Sequence, residues 1–427
     1  MVYRELMKRE AEGRRIRAAV SGAGWIGSGF VTQVSGMKGM EVPLLADTDT
    51  ALARRVFEST GVSADAIVET DKASKAQDSI RAGKRVVTGC YGLAAQLEAV
   101  DIVADVTPSP AIGAETSWAC IQNRKDVVLV NIEADVTVGR ILKRHAEKAG
   151  ILYTVSNGDE PGCLVELWEY VQTLGFQAIA IGKGKNNALD IAATPETVAE
   201  SARRDAKDPY QVASYVDGTK TMFEMASVAN ATGCLPIRRG MVGPEASRQT
   251  VSSIFSLTED GGICPFPGVV DFVQGSDMSG GVFLTVRVEN ERIAADLKYL
   301  KTGNGRYSTF FRPYHLWFIE APISVARAHL FREPWLVPLD RPVVDVMTVA
   351  KKELAPGDTL DEFGGYTFHG VMDRAEEARK LDALPVGLAP GAKVVRRVAK
   401  GAVIAWADVK LDESSTVVKL RHEQDAM

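Results

Sequence analysis

The chain of 427 residues is long enough to form two or three domains. Its hydrophobic fraction of 46% and charged fraction of 25% are those of an ordinary globular protein, and charges interrupt every apolar run that could cross a membrane. A formal net charge of -5 gives no support for binding to nucleic acid or to an anionic membrane. Residues 1–17 are charged throughout and lack the apolar core of a signal peptide, so we expect a cytoplasmic protein.

The residue types that most often bind metals are scattered along the chain. None of the 5 cysteines forms a C-x-x-C pair, and the 5 histidines show no H-E-x-x-H spacing. The sequence therefore predicts neither a disulfide framework nor a metal site.

A glycine-rich turn near the N-terminus gives the strongest functional signal. The apolar run 16–20 is followed by glycines with the spacing G-x-G-x-x-G and then by a helical pattern of apolar residues. The first glycine permits a tight turn, the second lets backbone N–H groups approach a pyrophosphate, and the third lets helix and strand pack closely. We therefore expect a dinucleotide site formed by Gly22, Ala23, Gly24, Trp25, Ile26 and Gly27.

The residues around the end of the second predicted strand leave the choice of dinucleotide open. This strand covers residues 41–47 and ends in Asp47, 20 residues after Gly27. A carboxylate at this position usually binds the ribose hydroxyls of adenosine, which favours NAD. Arg54 and Arg55 could instead hold the 2′-phosphate of NADP, or could form an ordinary charged helix face. The sequence thus predicts NAD or NADP as the cofactor.

Apolar strands then alternate with helices. Strands are predicted at residues 99–110, 126–131 and 151–156, with helices at 112–123 and 138–149. This alternation is typical of βαβ units, so residues 14–157 are predicted to form a doubly wound parallel sheet of the Rossmann type. Ligands of such sheets bind beyond the carboxyl ends of the strands. These ends are expected to bring together Thr107, Pro108, Asn131, Glu133 and Asp159.

The middle of the chain places lysines at the end of a predicted strand. A helix is predicted at residues 163–174, followed by a strand at 178–187 that runs into a glycine turn. Lys183 and Lys185 lie in this turn.

A charged pattern within an apolar helix points to chemistry. Residues 215–233 are predicted to form a helix in which Asp217, Lys220 and Glu224 share one face, because their spacing is i, i+3 and i+7. The neighbouring residues are apolar, which indicates a largely buried helix; a solvated charged face is the alternative. Since buried charges need partners or a function, we predict a functional role for Lys220.

The sequence pattern changes twice in the remaining third of the chain. Residues 283–289 alternate as a strand, and 311–330 form a long apolar stretch predicted to be helical. Residues 349–360 and 395–404 are weakly similar to each other, which fits a small β-rich domain with two related turns.

Several of these motifs together resemble the homoserine-dehydrogenase-like oxidoreductases. The motifs are the glycine loop and the segments 130–135, 157–161, 182–184, 216–233 and 312–322. The C-terminal repeat resembles a SAF domain, which one branch of that superfamily carries. This branch is close to the 1-deoxy-D-xylulose 5-phosphate reductoisomerase-like enzymes of isoprenoid biosynthesis.

The resemblance implies an α/β architecture of three domains. These are a Rossmann domain over residues 1–157 that is completed by about residues 307–335, a second α+β catalytic and oligomerisation domain over 158–306, and a SAF-like domain over 340–427. It also implies a homodimer or homotetramer. The Gly-Lys-Gly segment continues differently from that of the reductoisomerase-like branch, so the same substrate is not implied.

The resemblance and the residue chemistry together suggest roles for single side chains. Lys220 occupies the lysine position of the family's D-G-T-K segment and suits an acid/base, because burial can lower the pKa of an ammonium toward working pH. Asp217 is expected to orient Lys220 or to hold a substrate hydroxyl. Lys183 and Lys185 are expected to bind an anionic group, and Glu133 and Asp159 to contact substrate or nicotinamide.

Three functions remain open on the sequence alone. The first is an NAD(P)-dependent oxidoreductase that acts on a small anionic hydroxy-carbonyl or sugar-phosphate substrate. The second is a reductoisomerase that converts 1-deoxy-D-xylulose 5-phosphate to 2-C-methyl-D-erythritol 4-phosphate. The third is a cofactor-binding regulator without turnover. The buried charged helix favours chemistry and hence the first.

Overall fold

The computed structural model describes residues 1–427. The chain divides into two compact units: a first unit of residues 1–162, 316–337 and 414–427, and a second unit of residues 163–315 and 338–413. No helix combines the length and the apolar character that crossing a bilayer requires. The division into three domains stays a prediction.

Up to residue 173 the chain alternates between strands and helices. The elements are α1 Val2–Ala11, β1 Ile16–Ser21, α2 Trp25–Ser35, β2 Met40–Glu41, β3 Leu44–Ala46, α3 Thr50–Ser59, β4 Ile67–Glu69, α4 Ala73–Arg81, β5 Arg85–Thr88, β6 Ile102–Asp105, α5 Pro110–Gln122, β7 Asp126–Leu129, α6 Ile132–Ala149, β8 Tyr153–Val155 and α7 Glu160–Thr173.

From residue 177 onward the strands pair mostly in antiparallel fashion. The elements are β9 Gln177–Lys185, α8 Ala199–Arg204, α9 Pro209–Val216, α10 Thr219–Thr232, α11 Val251–Ile254, β10 Val269–Gln274, β11 Val282–Arg287, α12 Glu291–Tyr299, β12 Tyr307–Arg312, α13 Trp317–Phe331, β13 Val344–Ala350, β14 Phe368–Arg374, α14 Ala375–Lys380, β15 Lys393–Val394, β16 Val409–Lys410 and α15 Thr416–Asp425.

One parallel sheet forms the centre of the first unit. Its strand order is β4-β5-β3-β1-β6-β7-β8, with β2 paired to the start of β1. In β1 every residue but Arg17 is buried, as expected for a strand covered on both faces. The chain builds β3, β4 and β5 on one side of β1 and β6, β7 and β8 on the other. The predicted doubly wound sheet is confirmed, and its strand order reverses beside β1, where such sheets bind ligands.

A mixed sheet of four strands forms the core of the second unit. Strand β9 pairs in parallel with β10 and antiparallel with β11, and β11 pairs antiparallel with β12. The two-stranded pairs β13–β14 and β15–β16 follow, so the predicted α+β and β-rich character of this part is confirmed. Helix α10 packs against β10, β13 and β14.

The predicted glycine turn after residue 181 is wrong, because β9 continues through both glycines to Lys185. A Cβ on Gly182 would lie 1.9 Å from the carbonyl oxygen of Asp271, and one on Gly184 would lie 1.8 Å from that of Met278. Glycine is therefore required for the close approach of neighbouring backbone, not for a turn. Since side chains alternate along a strand, Lys183 and Lys185 project from one common face.

The single helix predicted over residues 215–233 is interrupted. Helix α9 ends at Val216, and α10 begins at Thr219. Between them Gly218 has a φ of +88°, a left-handed conformation that ends a right-handed helix. Asp217 therefore precedes α10 instead of sharing a helix face with Lys220 and Glu224.

The helix predicted at 311–330 begins later than expected. Phe311 still belongs to β12, where it pairs with Phe283 of β11, and α13 starts at Trp317. A run of apolar residues fits a buried strand as well as a buried helix, so hydrophobicity alone does not locate this boundary.

Candidate functional site

The three motif glycines of the loop between β1 and α2 differ in their surroundings. Gly22 has a φ of +104°, and a Cβ there would lie 3.0 Å from Cγ2 of Thr107. A Cβ on Gly27 would lie 1.9 Å from the carbonyl oxygen of Gly22, so the third glycine permits close packing of helix on strand. A Cβ on Gly24 would meet no atom within 4 Å. The open space over Gly24 fits the approach of a pyrophosphate.

The start of α2 is suited to an anion. Helix α2 begins at Trp25 without a side-chain cap, and the N-terminus of a helix favours an anion. Trp25 is exposed at this end and lies edge-on to Trp317, with ring centroids 4.7 Å apart. Ile26 is half-buried and packs on the core of the first unit. These features fit the phosphates of a dinucleotide.

Asp47 is bonded directly to the glycine loop. Its Oδ2 accepts a hydrogen bond of 2.7 Å from the backbone N–H of Ala23, and its Oδ1 accepts one of 2.9 Å from that of Asp49. The side chain is half-buried just after β3. The carboxylate thus lies beside the motif glycines, where it could accept ribose hydroxyls.

The two arginines of α3 are engaged with groups around their own helix. Arg54 donates a 3.4 Å hydrogen bond to the carbonyl oxygen of Ala64 and lies 4.0 Å from a carboxylate oxygen of Glu69. Arg55 is exposed and lies 3.9 Å from a carboxylate oxygen of Asp49. Neither arginine is linked to the glycine loop by these contacts.

A buried carboxylate that the sequence analysis missed ties two loops together. Asp105 ends β6 and is 0% exposed. Its oxygens accept hydrogen bonds from the hydroxyl of Thr107 at 2.9 Å and from the side-chain amide of Asn131 at 2.9 Å. That amide also donates to the hydroxyl of Thr107 at 3.2 Å. The structure therefore brings Thr107 and Asn131 together, with exposed Pro108 next to Thr107.

Burial raises the pKa of Asp105 to about 7, although the hydrogen bonds from Thr107 and Asn131 act in the opposite direction. The charge of nearby Glu133 adds to the rise. One sequence signal could have identified this group. Asp105 is a carboxylate at the end of an otherwise apolar strand, after Val103 and Ala104.

The two further acids predicted in the first unit lie at helix starts. Glu133 is buried in the first turn of α6, and Asn131 caps the same helix by accepting a hydrogen bond from the backbone N–H of Ala134. Asp159 is half-buried and directly precedes α7.

The second unit contains what we call the lysine cluster: Lys183, Lys185, Asp217, Glu224 and Lys351. Nζ of Lys183 lies 2.5 Å from Oε2 of Glu224 on α10, and these side chains are 7% and 4% exposed. The positive charge of Lys183 is thus offset within the protein. Glu224, noted in the sequence only as a helix-face charge, is its buried partner.

Lys185 carries a buried charge that contacts a neutral group. Its Nζ donates a 2.6 Å hydrogen bond to the carbonyl oxygen of Tyr215, which has no formal charge. Burial, and then the like charge of Lys183, lower the pKa of Lys185 to about 8. Because this pKa still lies above 7, most Lys185 side chains are charged at neutral pH.

Lys351 holds Asp217 in place. Nζ of Lys351 donates to Oδ2 of Asp217 at 2.7 Å and to the carbonyl oxygens of Ala193 and Gly365 at 2.7 and 2.9 Å. The side chains of Lys351 and Asp217 are 4% and 0% exposed. Burial raises the pKa of Asp217, while the charge of Lys351 acts against the rise. Nothing in the sequence around Lys351 indicates this role, because the pairing depends on the tertiary fold.

Lys220 is the second residue of α10 and is half-buried. The turn that carries it is anchored by Asp217, whose Oδ1 accepts a 2.8 Å hydrogen bond from the backbone N–H of Thr219. Asp217 thus fixes the start of the helix on which Lys220 lies. A lysine ammonium near a substrate carbonyl can stabilise a developing alkoxide and exchange a proton with it.

Part of the chain, most of it in the second unit, matches a known family. Residues 158–321 match the family model for the catalytic domain of oxidoreductase DRL. This stretch includes β9 and α10, and therefore Lys183, Lys185 and Lys220. It ends before Lys351. No curated protein matches the chain.

Similar solved structures are remote. A probable dehydrogenase from Thermotoga maritima is 13% identical, with 75% of this chain and 90% of that chain covered and a TM-score of 0.43. Scyllo-inositol dehydrogenase from Lactobacillus casei with NAD(H) and scyllo-inositol is 11% identical, with 74% and 88% covered and a TM-score of 0.37. 1-Deoxy-D-xylulose 5-phosphate reductoisomerase from Zymomonas mobilis with NADPH is 14% identical, with 50% and 57% covered and a TM-score of 0.37.

The family match and the first unit point to the same chemistry. The match assigns an oxidoreductase catalytic domain to residues 158–321, and the first unit has the sheet and the glycine loop of a nicotinamide-dinucleotide fold. The chain is an NAD(P)-dependent oxidoreductase.

Proposed function

We propose that the enzyme transfers a hydride between a nicotinamide and the carbonyl carbon of a small substrate that carries an anionic group. The observation that carries this proposal is the buried Lys185, an ammonium held against a neutral carbonyl within the stretch that matches an oxidoreductase catalytic domain. Such a group favours a phosphate or carboxylate on the substrate. Small hydroxy-carbonyl compounds and sugar phosphates have this chemistry.

In this proposal the glycine loop binds the dinucleotide, and Asp47 binds its adenosine ribose. Asp47 is already oriented by the Ala23 N–H, whereas Arg54 and Arg55 contact groups around α3. This arrangement favours NAD over NADP, because a carboxylate repels a 2′-phosphate. Thr107, Pro108 and Asn131 would border the remainder of the cofactor.

The bound nicotinamide supplies or accepts the hydride. Lys220 gives a proton to the substrate oxygen during reduction and takes it back during oxidation. Lys185 binds the anionic group. Lys183 and Glu224 form a neutral pair beside it, and Asp217 acts by fixing the start of α10 instead of contacting a substrate hydroxyl. Glu133 and Asp159 are assigned to contacts with substrate or nicotinamide.

The proposed role of Lys220 is tested by Lys220→Met, with Lys298→Met as the matched control. Lys298 is an exposed lysine in the last turn of α12 in the same unit. Free and phosphorylated hydroxy-carbonyl compounds are first screened by the change in nicotinamide fluorescence. We expect Lys220→Met to lower kcat by about 100-fold or more, because general acid–base catalysis contributes that much. The dissociation constant for the cofactor should stay within about twofold of that of the wild type.

Normal turnover in Lys220→Met would refute the acid/base assignment. Turnover on none of the compounds, with dinucleotide binding intact, would favour the regulator over the enzyme. Product analysis separates the two enzymatic reactions, since a rearranged carbon skeleton in place of a simple alcohol would assign the reductoisomerase reaction instead.

The finer family assignment is also a proposal. We assign the chain to the homoserine-dehydrogenase-like oxidoreductases on the motifs quoted above, and residues 340–427 to a SAF-like module. The short pairs β13–β14 and β15–β16 and the turns between them are compatible with that module. A homodimer or homotetramer is expected, and sedimentation analysis would test it.

A further inference from the structure

Backbone groups in helix α6 are bonded by a side chain from the C-terminal helix. In a regular helix the backbone N–H of Ile141 donates to the carbonyl oxygen of Thr137, four residues earlier. Here the N–H of Ile141 donates to Oε1 of Gln424 at 3.1 Å, and Nε2 of Gln424 donates to the carbonyl oxygen of Thr137 at 3.1 Å. The carboxamide of Gln424 therefore bridges the two ends of one helical hydrogen bond.

Further contacts hold this carboxamide in place. Gln424 is 6% exposed, and its own carbonyl oxygen accepts a 3.1 Å hydrogen bond from Arg140 of α6. Arg421, one turn earlier on α15, donates to the carbonyl oxygen of Thr137 at 3.3 Å and is itself paired with Asp425 at 2.9 Å. Gln424 is therefore held against α6 by bonds of its side chain and of its backbone.

The affected turn lies close to the cofactor-side end of the helix. Thr137 lies six residues after the cap residue Asn131, which is about 9 Å along a helix. The hydroxyl of Thr137 also donates to the carbonyl oxygen of Glu133 at 2.6 Å. The cap residue Asn131 is in turn bonded to Asp105 and Thr107 beside the glycine loop.

We infer that Gln424 is a positioning residue for the dinucleotide site, acting through α6. The two bonds of the carboxamide tie the turn from Thr137 to Ile141 to α15. Without the carboxamide this tie is lost, and the first turns of α6 shift together with Asn131. The loop that carries Thr107 then loses its alignment with Gly22. This inference rests on the proposed binding of the dinucleotide at the glycine loop.

The test compares Gln424→Met with Leu420→Ala in the full-length chain. Methionine keeps the length of the side chain but can neither donate nor accept as the carboxamide does. Leu420 is buried on the same helix, so its truncation weakens the packing of α15 and leaves the carboxamide in place. The dissociation constants for NADH and NADPH are measured by fluorescence titration, and the thermal midpoint of each variant is recorded. We expect at least a threefold rise in the dissociation constant for Gln424→Met and less than a twofold change for Leu420→Ala, even where Leu420→Ala lowers the thermal midpoint more.

Two outcomes would overturn the inference alone: unchanged affinity in Gln424→Met, or an equal rise in both variants at equal loss of thermal stability. Failure of the wild type to bind either dinucleotide would refute the cofactor site itself and the inference with it. The wild-type titration therefore distinguishes the two failures.

Discussion

At the level of single residues, the buried charges of the lysine cluster differ in whether an opposite charge neutralises them. Lys183 and Glu224 neutralise each other, as do Lys351 and Asp217. Lys185 instead faces a neutral carbonyl oxygen. The excess positive charge of this group of five side chains is therefore assigned to Lys185, and a ligand that binds there should be anionic.

The pKa of Lys185, lowered to about 8, predicts a pH-dependent KM. As pH rises above 8 the ammonium loses its proton, so KM for an anionic substrate should rise by up to about tenfold per pH unit. In Lys185→Arg the side chain stays charged, because the guanidinium pKa exceeds about 12. Steady-state kinetics from pH 7 to 9.5 should show the rise in the wild type and a flat KM in the variant. The same profile in both proteins would contradict the role of Lys185.

The raised pKa of Asp105 predicts how the free energy of unfolding changes with pH. Its pKa in the folded protein is about 7, against an ordinary value of 3.8, so between these values the folded chain holds a proton that the unfolded chain has released. The stabilising contribution is therefore full below about pH 4 and is lost as pH rises through 7. In Asp105→Asn this titration is absent. Urea unfolding should show the wild type losing up to about 4 kcal/mol relative to the variant between pH 4 and 8. A constant difference across this range would contradict the prediction.

At the level of elements, glycine positions decide how closely helix and strand approach. Gly27→Ala should raise the dissociation constant for the dinucleotide at least tenfold and lower the thermal midpoint, because the new methyl group would lie 1.9 Å from the carbonyl oxygen of Gly22. Gly36→Ala is the matched control at the other end of α2. Its φ is -88°, and the nearest atom to its Cβ is 3.6 Å away. Equal effects of the two substitutions on binding would contradict the assigned packing role.

The pattern of apolar residues and glycines predicted the helices and strands of the first unit better than those of the second. In the first unit apolar strands alternate with helices, and the G-x-G-x-x-G spacing occurs where a strand meets a helix. The predicted elements therefore agree with those of the structure. In the second unit the sequence predicts a turn at Gly184, whereas glycine is required there because the carbonyl oxygen of Met278 lies close by. That neighbour is 94 residues away in the chain, and local patterns do not identify it.

The candidate site shows the same limit. Asp47, Lys185 and Lys220 could be proposed as site residues from the sequence, because motifs and apolar patterns are properties of short stretches of chain. It did not identify Lys351 as the partner of Asp217, or Asp105 as the link between two loops. These depend on which segments the fold brings together, and hydrophobic periodicity reports only that a face is buried.

At the level of the whole molecule, units are defined by contact and not by order along the chain. Residues 316–337 and 414–427 fold with residues 1–162, so the first unit is assembled from three separate segments. Helix α15 has no motif that indicates this partner. Its buried residues Val417, Val418 and Leu420 show only that one face must be covered.

The position of α15 in the chain has a consequence for biosynthesis. Residues 1–162 leave the ribosome long before residues 414–427, and at about 5–20 residues per second the delay is roughly 13–50 s. During that interval Thr137 and Ile141 have no Gln424 to bridge them, and the surface of α6 that α15 covers is exposed to water. The nascent first unit therefore keeps this surface of α6 uncovered until residues 414–427 have been made, and its cofactor site reaches final geometry only then.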